Sequence, residues 1–109
     1  MARCTMDIAE WRQRIDAIDC RLVELISERA TAARAIGELK RNLTLPIYEP
    51  DRERAIFANI ALCNQGPLED AEMAKIFERI IDVMRSLQRR ALEEYAAHSQ
   101  SQPATRNQP

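Results

Sequence analysis

Apolar residues recur every three or four positions through Ile8, Trp11, Ile15, Ile18, Leu22, Leu25, Ala32, Ile36 and Leu39. This alternation predicts one long amphipathic helix with an a/d seam along one face. The seam position between Leu25 and Ala32 falls on Arg29. A guanidinium cannot shed its charge, so an inward-facing arginine snorkels, pairs with an internal carboxylate or holds an anionic ligand. The helix is expected from near Asp7, an acidic residue suited to a helix start, to about Arg41, roughly 50 Å at 1.5 Å per residue. Gly37 inside it costs about 1 kcal/mol relative to Ala, which points to close packing or a nearby ligand.

The segment 42–48 breaks the pattern and contains Pro46. Glu49-Pro50-Asp51-Arg52-Glu53 then reads as a second helix start, with Pro in the first turn and acidic side chains at the positive end of the dipole. Ile56, Phe57 and Ile60 give this helix an apolar face up to about Asn64, and Gln65-Gly66-Pro67-Leu68 is a turn. A third helix is expected from about Glu69 to Ala97, burying Met73, Phe77, Ile80, Ile81, Met84, Leu87, Ala91 and Tyr95. Gln88 falls inside that stripe, and a buried amide without partners costs roughly 1–3 kcal/mol. The fold class is therefore all-α, three helices in long-short-long order forming one domain over residues 1–97. Residues 98–109, rich in Ser, Gln, Pro and Asn, read as a disordered tail. The first helix presents more apolar seam than two others can cover, which predicts dimerisation through it.

Charge and cysteine content narrow the function. A formal net charge of -1 with 30% charged residues gives no global basic field for nucleic acid. Three cysteines, Cys4, Cys20 and Cys63, with no CxxC spacing and the lone His98, argue against a zinc site and a disulfide framework. With neither a secretory signal nor a membrane-length apolar run, a soluble cytoplasmic protein is expected.

Among 16 basic residues only Lys40 and Lys75 are lysines. Lys40 lies eleven residues after Arg29, close to three turns, so both project from nearly the same side. Arg12 shares the flank of Lys40 but stands roughly 25 Å from Arg29 along the helix, too far for one small ligand to touch both. An antiparallel partner helix would bring a second Arg12 toward Arg29 and Lys40. Glu49, Arg52 and Glu53 cluster at the second helix start, with Glu53 bordering its apolar face.

These residues carry a resemblance to the all-helical (AroQ-type) chorismate mutases. It rests on 11–19 (Trp-Arg-Gln-Arg-Ile-Asp-Ala-Ile-Asp), Ser27-Glu28-Arg29, Ile36-Gly37-Glu38-Leu39-Lys40, the run from Pro46 to Glu53, and Ile80-Ile81 followed by Gln88. The resemblance covers about residues 7–97. It implies an intertwined homodimer with two pockets built from both chains, and no cofactor or metal. Each pocket would take Arg12 from one chain and Arg29, Lys40, Glu49, Arg52, Glu53 and Gln88 from the other, with chorismate as substrate and prephenate as product. The arginines would hold carboxylates, Lys40 and Gln88 would donate to the ether oxygen, and Glu53, helped by Glu49, would accept from the ring hydroxyl. Arg52 would orient the acidic pair or assist a carboxylate. Two departures stand out: Glu49 where Asp is frequent, and Met84 where a small hydroxyl residue often lines the pocket.

Three other functions fit parts of this pattern. An isochorismate pyruvate lyase of the same fold would lack the acids at positions 49 and 53. An aminodeoxychorismate mutase would place an amine against Glu53. A non-catalytic helical dimer would need no such polar set. The resemblance also admits a partner enzyme of the shikimate pathway.

Overall fold

A computed structural model describes residues 5–101, all of whose regular structure is helical: α1 (Ile8–Leu43), α2 (Pro50–Cys63) and α3 (Asp70–Ser101). The chain divides into two units between Thr31 and Ala32, with α1 contributing to both.

In the first unit α1 begins with a reciprocal cap. The Asp7 backbone N–H donates to Glu10 Oε1 at 3.0 Å, and the Glu10 N–H donates to Asp7 Oδ1 at 2.8 Å. Two N–H groups that the first turn would leave unpaired are thereby satisfied. The seam residues of this unit, Ile8, Trp11, Ile15, Ile18, Leu22 and Leu25, are 46–68% exposed in the single chain. Arg14 lies 5.9 Å from the Trp11 ring centroid.

In the second unit α1 ends before Pro46 is reached. Thr44 adopts a left-handed conformation (φ 58°), the Leu45 N–H donates to Lys40 O at 2.8 Å, and the Thr44 N–H donates to Arg41 O at 3.2 Å. This double bond pattern closes a helix at a left-handed residue, a position where glycine is usual and a β-branched threonine is strained. Asn64 organises the α2–α3 turn: its amide donates to Leu68 O and Asp70 Oδ1, and its Oδ1 accepts from the Gly66 N–H. Gly66 needs its freedom there, with φ +75°.

Antiparallel packing of α2 on α3 follows from the pairing of Glu53 with Arg85 near one end and of Asn64 with Asp70 at the other. The last turns of α1 run alongside α3 in the same direction, since Ala33 meets Gln88 and Arg41 stacks 3.9 Å from the Tyr95 ring centroid. Ala33, Ile81 and Met84 are buried, and so is the charged residue Lys40.

One boundary differs from expectation. α3 continues through Ser101 rather than ending near Ala97, so 98–101 belong to the helix and not to the tail. No Gly or Pro interrupts 70–101, and Ser and Gln at these positions are compatible with a helix end. The remainder of the expected tail, 102–109, and Cys4 lie outside the described residues. Cys20 and Cys63 are exposed free thiols. Among the described residues no helix is long and apolar enough to cross a membrane.

Candidate functional site

Lys40 is the centre of the polar cluster in the second unit. It sits on the last turn of α1, where the closure of the helix turns the chain back so that residues 47–49 pass its side chain. At 8% exposure its ammonium would be costly without partners. It donates to Ile47 O at 3.0 Å and pairs with Glu49 Oε1 at 2.6 Å. Two of its three N–H donors are committed to these acceptors. Glu49 occupies the N-cap position of α2, yet its side chain makes no capping bond. Its carboxylate serves Lys40 instead. Pro50 at the start of α2 tolerates that, because it has no N–H to satisfy.

The second pair lies one helical turn into α2. Glu53 Oε2 accepts from Arg85 Nη2 of α3, with both side chains about four-fifths buried. Arg85 also reaches Asp82 Oδ1 at 3.4 Å and stands 5.1 Å from the Tyr48 ring centroid. The hydrogen bond that Arg85 donates to Glu53 is the main reason its guanidinium holds its proton more tightly than usual. Arg85 was not among the candidates from sequence. A signal existed: it is three residues before Gln88 and three after Asp82, on a shared helix face.

Gln88 is half-buried and donates through Nε2 to Ala33 O at 2.6 Å. That leaves its second amide hydrogen and its carbonyl oxygen for other partners. Gly37 makes the arrangement possible, because a Cβ there would stand 3.0 Å from Gln88 Cγ and 3.3 Å from its Cβ. The close packing expected at Gly37 is therefore against Gln88. We expect Gly37→Ala to gain helix propensity while pushing the Gln88 amide aside. The measurable result is a thermal midpoint within a few degrees of wild type and kcat lowered at least tenfold, read from paired melting and activity curves.

The remaining candidates are placed as follows. Met84 is 5% exposed, one turn before Gln88 and packed into the core with Ile81. Arg52 is exposed on the first turn of α2. Arg12 (exposed) and Arg29 (half-exposed) belong to the first unit. Lys40 and Glu49 are thus brought together, Glu53 is joined to Arg85, and Gln88 is fixed against α1. Among the described residues no group of three His, Cys, Asp or Glu side chains is arranged to hold a metal ion.

An apolar groove of about 290 Å³ lies between α2 and α3, lined by Asn59, Ile60, Cys63, Asn64, Met73 and Phe77. It is at the far end of the α2–α3 pair from Glu53 and Arg85 and holds no charged side chain. The ionisable groups of this unit described above, Lys40 with Glu49 and Arg85 with Glu53 and Asp82, lie away from it.

The sequence matches the chorismate mutase type II family over residues 11–89. A chorismate mutase of Methanocaldococcus jannaschii is 38% identical over 88 residues, covering 80% of this chain and 89% of that protein. A bifunctional chorismate mutase/prephenate dehydratase of Neisseria gonorrhoeae is 40% identical over 78 residues, covering 72% of this chain and 21% of the longer protein. Among solved structures, chorismate mutase (form II) from Thermus thermophilus aligns with a TM-score of 0.75 at 32% identity, over 76% of this chain and 94% of that one. Chorismate mutase from Helicobacter pylori, solved in complex with prephenate, aligns with a TM-score of 0.74 at 28% identity, over 80% and 94%.

Proposed function

Because the chain belongs to the chorismate mutase type II family, we propose that two copies pair through α1 and build two equivalent pockets for its reaction. Each pocket takes the partner's Arg12 together with Arg29, Lys40, Glu49, Arg52, Glu53 and Gln88 of one chain, with Met84 behind them. The reaction is the isomerisation of chorismate to prephenate, in which one C–O bond breaks and one C–C bond forms within a single molecule. It needs no nucleophile and no proton transfer. The protein's work is to hold a dianion folded, with its bond-forming carbons close, and to stabilise charge growing on the ether oxygen.

Each group has a physical task. The Arg29 guanidinium and its counterpart from the partner bind the two carboxylates, for which planar forks are suited. Lys40 turns its third N–H to the ether oxygen, and Gln88 adds its remaining amide hydrogen. Glu53 accepts from the ring hydroxyl through the oxygen that Arg85 leaves open. Glu49 fixes Lys40, and exposed Arg52 orients the acidic pair or assists a carboxylate.

The observation that carries this reading is Lys40: a buried ammonium held by two acceptors with a donor to spare. Pairing through α1 is supported by the apolar seam, which stays about half exposed in one chain, and by the roughly 25 Å of helix between Arg12 and Arg29. Carboxylates at 49 and 53 favour the mutase over pyruvate elimination from isochorismate.

Incubation with chorismate and no added cofactor tests the activity. The expected result is loss of chorismate and recovery of phenylpyruvate after acid treatment. Pyruvate release from isochorismate with no chorismate turnover would overturn it.

A further inference from the structure

We propose that Arg85 is a specificity-determining residue: by occupying one oxygen of Glu53 and cancelling its charge, it selects a substrate with a neutral ring hydroxyl over one with a ring amine. The inference rests on the reading in which Glu53 meets the substituent of the substrate ring. It goes beyond that reading in assigning a role to a residue that touches Glu53 from α3.

The geometry defines what Glu53 can offer. Its Oε2 is taken by Arg85 Nη2, which leaves Oε1 as the other acceptor of the carboxylate. Arg85 is held at the far side by Asp82 Oδ1 at 3.4 Å and covered by the Tyr48 ring at 5.1 Å. With its side chain 20% exposed, it is not a freely moving surface arginine. A guanidinium keeps its charge at every accessible pH, so the Arg85–Glu53 pair is close to neutral. Asp82 does not restore a local negative charge of the same strength, because its side chain is 55% exposed and screened by water.

A hydroxyl needs only an acceptor lone pair, and Oε1 supplies one. A protonated amine needs net negative charge around it to offset lost hydration, and it would carry its own charge close to the guanidinium. The pair therefore discriminates by charge between two substituents of nearly equal size. A bare carboxylate at position 53 would favour the amine instead. Specificity of this kind is built from a repulsive element as much as from an attractive one.

The test compares chorismate with its 4-amino-4-deoxy analogue in wild type and in Arg85→Gln and Arg85→Lys. Glutamine keeps a donor for Glu53 without the charge, and lysine keeps the charge. The readout is the competitive inhibition constant of the amine analogue divided by the KM for chorismate, which is measurable whether or not the analogue turns over. We expect this quotient to fall at least tenfold in Arg85→Gln and to stay within about threefold of wild type in Arg85→Lys. A fold defect weakens both ligands and leaves the quotient in place. A quotient unchanged in Arg85→Gln, or one that falls equally in Arg85→Lys, overturns the inference. Absence of chorismate turnover in wild type is a different result and removes the reading beneath it.

Discussion

Lys40→Met is expected to reduce kcat by three orders of magnitude or more while leaving the protein folded. Removing a single hydrogen-bond donor aimed at developing negative charge costs roughly 100- to 1,000-fold in acyl-transfer enzymes. Here the donor is also a cation, and the ether oxygen has no other charged partner in the proposed pocket. Stability responds differently. Lys40 is 8% exposed, so methionine of similar length fills the same space without a buried charge. Ile47 O loses a donor, at about 1 kcal/mol. Glu49 is freed, but its side chain is 48% exposed and water takes the place of the ammonium. Melting curves and steady-state kinetics on the same preparation separate the two effects. A thermal midpoint near wild type with kcat reduced less than tenfold would remove Lys40 from the chemistry.

Much of this organisation is legible from residue order because it depends on neighbours along the chain. The start of α1 near Asp7, the start of α2 at Pro50 and the apolar spacing of α1 follow from local sequence, and both starts agree with the structure to within two residues. Arg29 and Gln88 stand out in the sequence because they interrupt apolar stripes. Lys40 and Gln88 are held by partners in the structure, and Gly37 explains how Gln88 approaches α1.

What sequence did not reveal comes from contacts between distant residues. Arg85 meets Glu53 across 32 positions, and no local rule pairs them. Its helix-face relation to Gln88 was visible, but a surface ion pair has the same spacing. Thr44 in a left-handed conformation contradicts its residue type, and that strain is supported by the closure bonds to Lys40 and Arg41. The continuation of α3 to Ser101 was hidden by a polar composition that suits an exposed helix end as well as a tail.

The central claim is that each pocket needs two chains, and mixing two inactive variants tests it most directly. Arg12→Ala and Lys40→Met homodimers carry a lesion in both of their pockets, so each is expected to retain under about 1% of wild-type activity. In a heterodimer, one pocket takes the partner's Arg12 lesion together with its own Lys40 lesion, and the other pocket is intact. The prediction depends on distance, because seventeen residues of helix put Arg12 roughly 25 Å from Arg29 of the same chain. Random reassortment makes about half of the dimers mixed, each with one working pocket of two. Refolding an equimolar mixture is therefore expected to recover about a quarter of wild-type activity. If mixed dimers form, as seen by mass spectrometry, and activity stays at the level of the parents, the shared pocket is contradicted.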